Sequence, residues 1–203
     1  MKIELLTLCA VCACSLVCAQ NLEEQFAAEL AAKSRAVECI ACDFIETRHV
    51  RVLTDDMVRK GCFAYRAPAH MTLDFATGDR IVMDGERFAL RTEGRTTMAR
   101  MNSNPMLRQL QTILDACMTG NLDRLRLSGR LELESDERTY RLQLVPTARS
   151  AARYVDRIVL LFDRRDMTLD ELRLEQPSGD FMYYRFSNKR LNEPIDDAMF
   201  MME

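Results

Sequence analysis

The hydrophobic period along the chain changes three times, and each change marks a boundary between elements. Leu22, Phe26 and Leu30 recur at intervals of four behind Asn21, with Glu24 three residues after that cap, predicting an amphipathic helix from about Leu22 to Ala36. From Cys42 the period becomes two, with Cys42, Phe44 and Glu46 alternating against Asp43, Ile45 and Thr47. Asp55-Asp56 predicts a hairpin turn into a strand from Gly61 to Tyr65. Further strands read at Met71 to Phe75, Ile81 to Met83, Arg87 to Thr92 and Arg95 to Met101, with turns at Asp84-Gly85 and Glu93-Gly94. Segments this short and closely spaced make an antiparallel meander.

Asn104-Pro105 then supplies a cap and a first-turn proline. Leu107, Leu110, Ile113, Leu114 and Cys117 form a helical stripe that stops before Gly120. Strands resume at Leu127 to Glu134, Thr139 to Val145, Arg157 to Phe162, Leu169 to Glu175 and Phe181 to Ser187. Tyr140, Leu142 and Leu144 alternate with Arg141 and Gln143, giving this sheet one wet face and one dry face. The expectation is a mostly β (α+β) single domain of about ten strands and two helices, on one strongly curved sheet. Either the helices fill its concavity, or they cover a cavity that a ligand can share.

Composition narrows the function classes. In 203 residues, 48% hydrophobic and 29% charged, 28 basic and 31 acidic side chains are scattered without a run of one sign, so nucleic acid is a poor partner. Thirteen Met and no Trp give an interior of flexible side chains. Lys2 precedes an apolar run from Leu5 to Val17, too short to span a bilayer and suited to a signal peptide. Val17-Cys18-Ala19 predicts cleavage after Ala19, so residues 1–19 would be a signal peptide and 20–203 the mature, exported domain. Acylation at a signal-region Cys, Cys14 being the tolerable site, and retention of the segment as an anchor are the alternatives that would hold the chain at a membrane.

The mature chain keeps Cys39, Cys42, Cys62 and Cys117. Cys39-Ile-Ala-Cys42 has the spacing of thiol oxidoreductases, but it lies where a helix gives way to a strand rather than at a helix start. Positions three apart on a strand face opposite sides. A redox site there would need an exposed thiol of low pKa. The four thiols, with only His49 and His70 to add, have no zinc spacing, and no metal or cofactor is expected. No nucleophile elbow, P-loop, H-E-x-x-H or dinucleotide fingerprint occurs, and the pairs Asp55-Asp56 and Asp196-Asp197 sit in turn-like contexts, so no catalytic residues are assigned.

Phe44-Ile45-Glu46, Gly61 to Pro68, Met71-Thr72-Leu73-Asp74-Phe75 and Ile81 to Gly85 resemble, in order and spacing, the first half of LolA, the periplasmic carrier of outer-membrane lipoproteins. Asn104-Pro105, Ser178-Gly179-Asp180 and Phe186-Ser187-Asn188 with Asn192 and Phe200 continue the likeness over nearly all of the mature chain. The resemblance implies an unclosed, curved antiparallel barrel with helices as a lid over a hydrophobic cavity, and no covalent chemistry. It implies a monomeric periplasmic protein that ferries acylated lipoproteins between an inner-membrane release transporter and an outer-membrane acceptor. A paralogue holding another lipid or glycolipid, or an envelope interaction module, is the alternative. By match, the cavity lining is Phe44, Phe63, Tyr65, Met71, Leu73 and Phe75, and the lid face is Leu107, Leu110, Ile113 and Leu114. Many relatives carry an Arg directly before the strand-end Pro to latch the lid. Here that position is Ala67, and Arg66 lies on the opposite side of the strand.

Overall fold

The computed structural model describes residues 22–202, so the expected signal peptide and its cleavage site lie outside the described residues. Helix α1 covers residues 22–34. Six strands follow as a meander: β1 (Cys39–His49), β2 (Met57–Arg66), β3 (His70–Phe75), β4 (Arg80–Met83), β5 (Arg87–Thr92) and β6 (Arg95–Arg100). Helices α2 (Pro105–Thr119) and α3 (Leu122–Ser128) come next, followed by β7 (Gly129–Ser135) and β8 (Thr139–Pro146). A single turn, α4 (Arg149–Ala152), precedes β9 (Arg157–Asp163), β10 (Leu169–Glu175) and β11 (Phe181–Leu191).

All eleven strands form one antiparallel sheet in the order β6-β5-β4-β3-β2-β1-β11-β10-β9-β8-β7. The first meander and the second are therefore joined through the β1–β11 ladder. The edge strands β6 and β7, consecutive in sequence, are the two that do not pair, and the chain between them is the helical segment. The result is the expected unclosed, curved sheet with helices against it.

Register sorts every strand into two faces, because side chains alternate. Across the ladders Phe44 opposes Phe186, Phe63 opposes Leu73, Tyr65 opposes Met71, and Leu142 opposes Leu160. These residues share the inner face, where α1 adds Phe26 and Leu30 and α2 adds Leu110, Ile113 and Leu114 to one continuous core. Gly61 is required by this packing. It sits opposite Phe44, and a Cβ there would lie 2.6 Å from the Phe44 ring and 2.3 Å from the Asp74 carbonyl oxygen.

Local chemistry sets the helix ends. The Asn104 side chain accepts a 3.1 Å hydrogen bond from the Leu107 amide, with Pro105 in the first turn. Gly120 ends α2 in the left-handed region at φ 68°, packed so close to Ala31 that a Cβ would come within 2.7 Å. Two expectations need correction. The strand expected from Leu127 begins only at Gly129, because Leu122 and Leu125, three apart, bury one side of α3 while Leu127 stays in solvent. The last strand runs past Ser187 to Leu191, its register shifting by one residue between Ser187 and Arg190, where Asn188 has a φ of 52°.

The C-terminal segment crosses the outer face. Arg66 donates through its guanidinium to the Asp197 carboxylate and to the Ile195 carbonyl, both at 2.6 Å, and lies 4.6 Å over the Phe200 ring. Thr72 Oγ1 donates to the Met199 carbonyl at 2.6 Å. Among the described residues no helix is long and apolar enough to cross a membrane.

Candidate functional site

The ten residues named from the sequence converge on the concavity. Phe44, Phe63, Tyr65, Met71, Leu73 and Phe75 are all buried on the inner face of β1, β2 and β3. Leu110, Ile113 and Leu114 point into it from α2, and Leu107 is half-buried against the same core. Alternation and helical spacing did not reveal how far the lining extends into the second meander. Tyr184, Phe186, Leu172, Leu160 and Leu142 continue it, and Phe26 of α1 packs edge-on against Phe162 and tilted against Tyr140. Those strands carried the same alternation, but only the β1–β11 ladder joins them to the first set.

The two ends of the concavity differ in chemistry. At the end where β1 stops, Glu46 is 2% exposed on the inner face, beyond Phe44. It accepts from Arg59 Nε at 2.6 Å and from the Tyr184 hydroxyl at 2.7 Å, while the Arg59 guanidinium lies 4.0 Å over the Phe75 ring. Burial, and then the Glu46 charge, push the Tyr184 hydroxyl far above its ordinary pKa, so it stays a donor. This plug closes that end with satisfied polar groups.

The opposite end, where β1 begins, is open on both flanks of α2. On one flank an apolar cleft of about 210 Å³ is lined by Val37, Ile40, Cys117, Met118, Leu169 and Leu191 among others. A further void of about 20 Å³ shares Ile40, Met118 and Leu169 with it and reaches Phe63 and Phe186. The path from solvent to the centre of the lining is thus marked but narrow, because the stripes of α1 and α2 already fill the concavity. On the other flank a larger, polar cleft of about 610 Å³ lies between α2, α3 and the ends of β4 to β6.

Arg66 does not reach the helices. It is spent on the C-terminal segment across the outer face, so no arginine of β2 latches α2. Cys39, Cys42, Cys62 and Cys117 are free thiols, and burial pushes Cys42 up to about 12, the reverse of what thiol redox chemistry requires. His49 binds Asp56 at 2.7 Å and stacks on Phe181, and His70 packs edge-on to Phe200.

Alkaline titration reports directly on the lining. Burial first, and then the Asp115 carboxylate, push Tyr65 up to about 12, whereas a tyrosine in the unfolded chain ionises near about 10. Between those values the unfolded state has lost the proton that the folded state still holds, so stability present below pH ~10 falls as pH rises towards ~12. Tyr184, Tyr183 and Cys42 are raised as well and add to the fall, and the share of Tyr65 is roughly 2 kcal/mol, read as the difference between wild type and Tyr65→Phe in the denaturant midpoint as a function of pH. Tyr65→Phe should make that slope shallower by the Tyr65 share, and an unchanged slope would place the ring hydroxyl in water.

No protein-family model matches the chain, and no curated protein matches it by sequence. Solved structures do match. An uncharacterized conserved protein from Thermus thermophilus superposes with a TM-score of 0.54 at 7% identity, covering 87% of this chain and 92% of that one. A DUF1329 family protein from Desulfovibrio piger gives 0.51 at 11% identity, covering 88% and 96%. A putative outer membrane lipoprotein-sorting protein domain from Vibrio parahaemolyticus gives 0.50 at 8%, covering 87% and 94%. At these identities the likeness concerns the fold alone, and it spans nearly the whole of each partner: the chain shares the fold of these three proteins.

Proposed function

We propose that this protein is an exported carrier that hides the acyl chains of a lipoprotein or lipid in its concavity, ferrying them through the periplasm between membranes. The observation that carries this reading is the occupancy of the concave face. Its apolar surface is covered by the stripe Leu110, Ile113, Leu114 and Cys117 of a helix that shares no ladder hydrogen bonds with the sheet. Such a helix is held by burial alone, and acyl chains offer the sheet the same kind of surface at about 0.8 kcal/mol per buried CH₂. Uptake exchanges one apolar occupant for another, which allows both binding and release. The open end beside Met118 and Leu169 is the point of entry, since the far end is plugged by Glu46 and Arg59. The acyl-contacting residues in this reading are Phe44, Phe63, Tyr65, Met71, Leu73 and Phe75 on the sheet, with Leu107, Leu110, Ile113 and Leu114 as the helix that yields.

The filled concavity also gives ground to a second reading, an envelope interaction module that never takes lipid. Native mass spectrometry of the mature chain from the periplasm separates the two. Acylated lipoprotein on the wild type, absent from Leu73→Glu and from the cleft-filling Met118→Trp, is the expected result. A free lipid of one class would indicate a specialised carrier. An empty protein that also takes no lipoprotein from inner-membrane spheroplasts would sink the carrier reading.

A further inference from the structure

The larger cleft at the open end has a chemistry that the hydrophobic concavity does not explain. It is lined by Arg87, Arg100, Arg108 and Arg124, against the carboxylates of Glu86 and Asp115. Arg87 is engaged by Asp84 at 3.0 Å and Arg124 by Asp115. Arg100 and Arg108, both exposed, line the cleft and have no carboxylate partner among the described residues. A second observation is independent of charge. Gln111, one turn after Arg108 on α2 and 7% exposed, lines the cleft with its side-chain Nε2 lacking any hydrogen-bond partner. That Nε2 is sealed from the cleft as it stands, and a buried donor left unsatisfied costs about 1–3 kcal/mol; turning the amide over about its last torsion brings the donor to the cleft, where an arriving acceptor recovers that cost.

We propose that this cleft is a site for a phosphate-type anion, bound by Arg100, Arg108 and the Gln111 amide. Guanidiniums match phosphate oxygens in paired, charge-assisted hydrogen bonds, which favours a phosphoryl group over a lone carboxylate. The volume of about 610 Å³ falls in the range of small-ligand sites. Met101, at the floor of the cleft, belongs to the same buried core as Tyr65 and Leu114, so an anion held here sits at the rim of the concavity. The ligand that satisfies both regions is an amphiphile with an acidic headgroup. This identification of the source rests on the carrier reading, whereas the anion site itself does not. The same chemistry would also accept free phosphate.

The test is calorimetric titration of the mature chain at low salt with three probes: dihexanoyl phosphatidic acid, dihexanoyl glycerol and inorganic phosphate. The comparison protein is Arg100→Gln/Arg108→Gln, whose fold is checked by its thermal midpoint, since neither side chain has an ion-pair partner to lose. The expected result is at least a tenfold preference of the wild type for the acidic lipid over the neutral one, shrinking to within twofold in the variant. Equal affinity for the two lipids in the wild type, or an undiminished preference in the variant, would overturn the anion site while leaving lipid uptake standing. Phosphate bound by the wild type and not by the variant, with neither lipid bound, would support the site with a free anion as its ligand and count against the carrier reading. No binding of any probe would overturn both.

Discussion

Arg59→Met will lower the stability of the fold by about 3–5 kcal/mol, the cost of leaving a buried carboxylate without its counter-charge. Glu46 is the most deeply buried acid on the inner face, and its oxygens are divided between Arg59 and the Tyr184 hydroxyl. Removing the guanidinium strands that charge among Phe44, Phe75 and Tyr184. A simple loss of aliphatic packing would cost much less, since methionine keeps most of the arginine stem. The measurement is equilibrium unfolding in urea, where the midpoint should fall at unchanged slope. Combining Arg59→Met with Glu46→Leu and Tyr184→Phe removes all three polar partners together and should restore most of the loss. A single variant as stable as the wild type would show that water already solvates Glu46 and that this end of the concavity is not sealed.

The second large effect concerns the helix in the concavity. Leu114 is 1% exposed at the centre of the α2 stripe, and Leu114→Ala should cost about 2–5 kcal/mol in the lipid-free protein. The same substitution should raise affinity for a fluorescent fatty acid several-fold, because the closed form that competes with the ligand is the one being weakened. Stability and affinity thus move in opposite directions. On the inner face of the sheet, Leu73→Glu should lower both. Should Leu114→Ala lose stability without gaining affinity, α2 would be a fixed part of the core and lipid would have to bind elsewhere.

The elements that proved legible in the sequence are those whose signals are local. Asn104-Pro105 and Gly120 bracket α2 to within a residue, since cap chemistry acts over three or four positions. Met71, Leu73 and Phe75, named by the family match, share one face as strand alternation requires. Leu122 to Ser128 was harder, because Leu125 and Leu127 separated by Arg126 mimic a strand, and only the exposure of Leu127 tells the helix apart. Glu46 was visibly in phase with Cys42 and Phe44, yet its partner Arg59 lies across a hairpin whose register the sequence does not specify. The anion cleft is more remote still. Its four arginines come from β5, the end of β6, α2 and α3, and their convergence depends on how the helical segment folds back over the strand ends. Non-local register and the docking of helices are set by packing, which no spacing rule encodes.

The unpaired edges of β6 and β7 have a mechanical consequence. In a closed barrel the circumference is fixed by strand number and stagger, so any change of bore must break a ladder. Here the seam between the edges is crossed by no ladder, and the covalent link across it is the segment from Met101 to Ser128 that carries both α2 and α3. The sheet can therefore unroll or tighten like a clasp while every one of its ten ladders stays intact. Because clasp and helices are one stretch of chain, a change in the gape of the seam and a change in the seating of α2 are expected to go together.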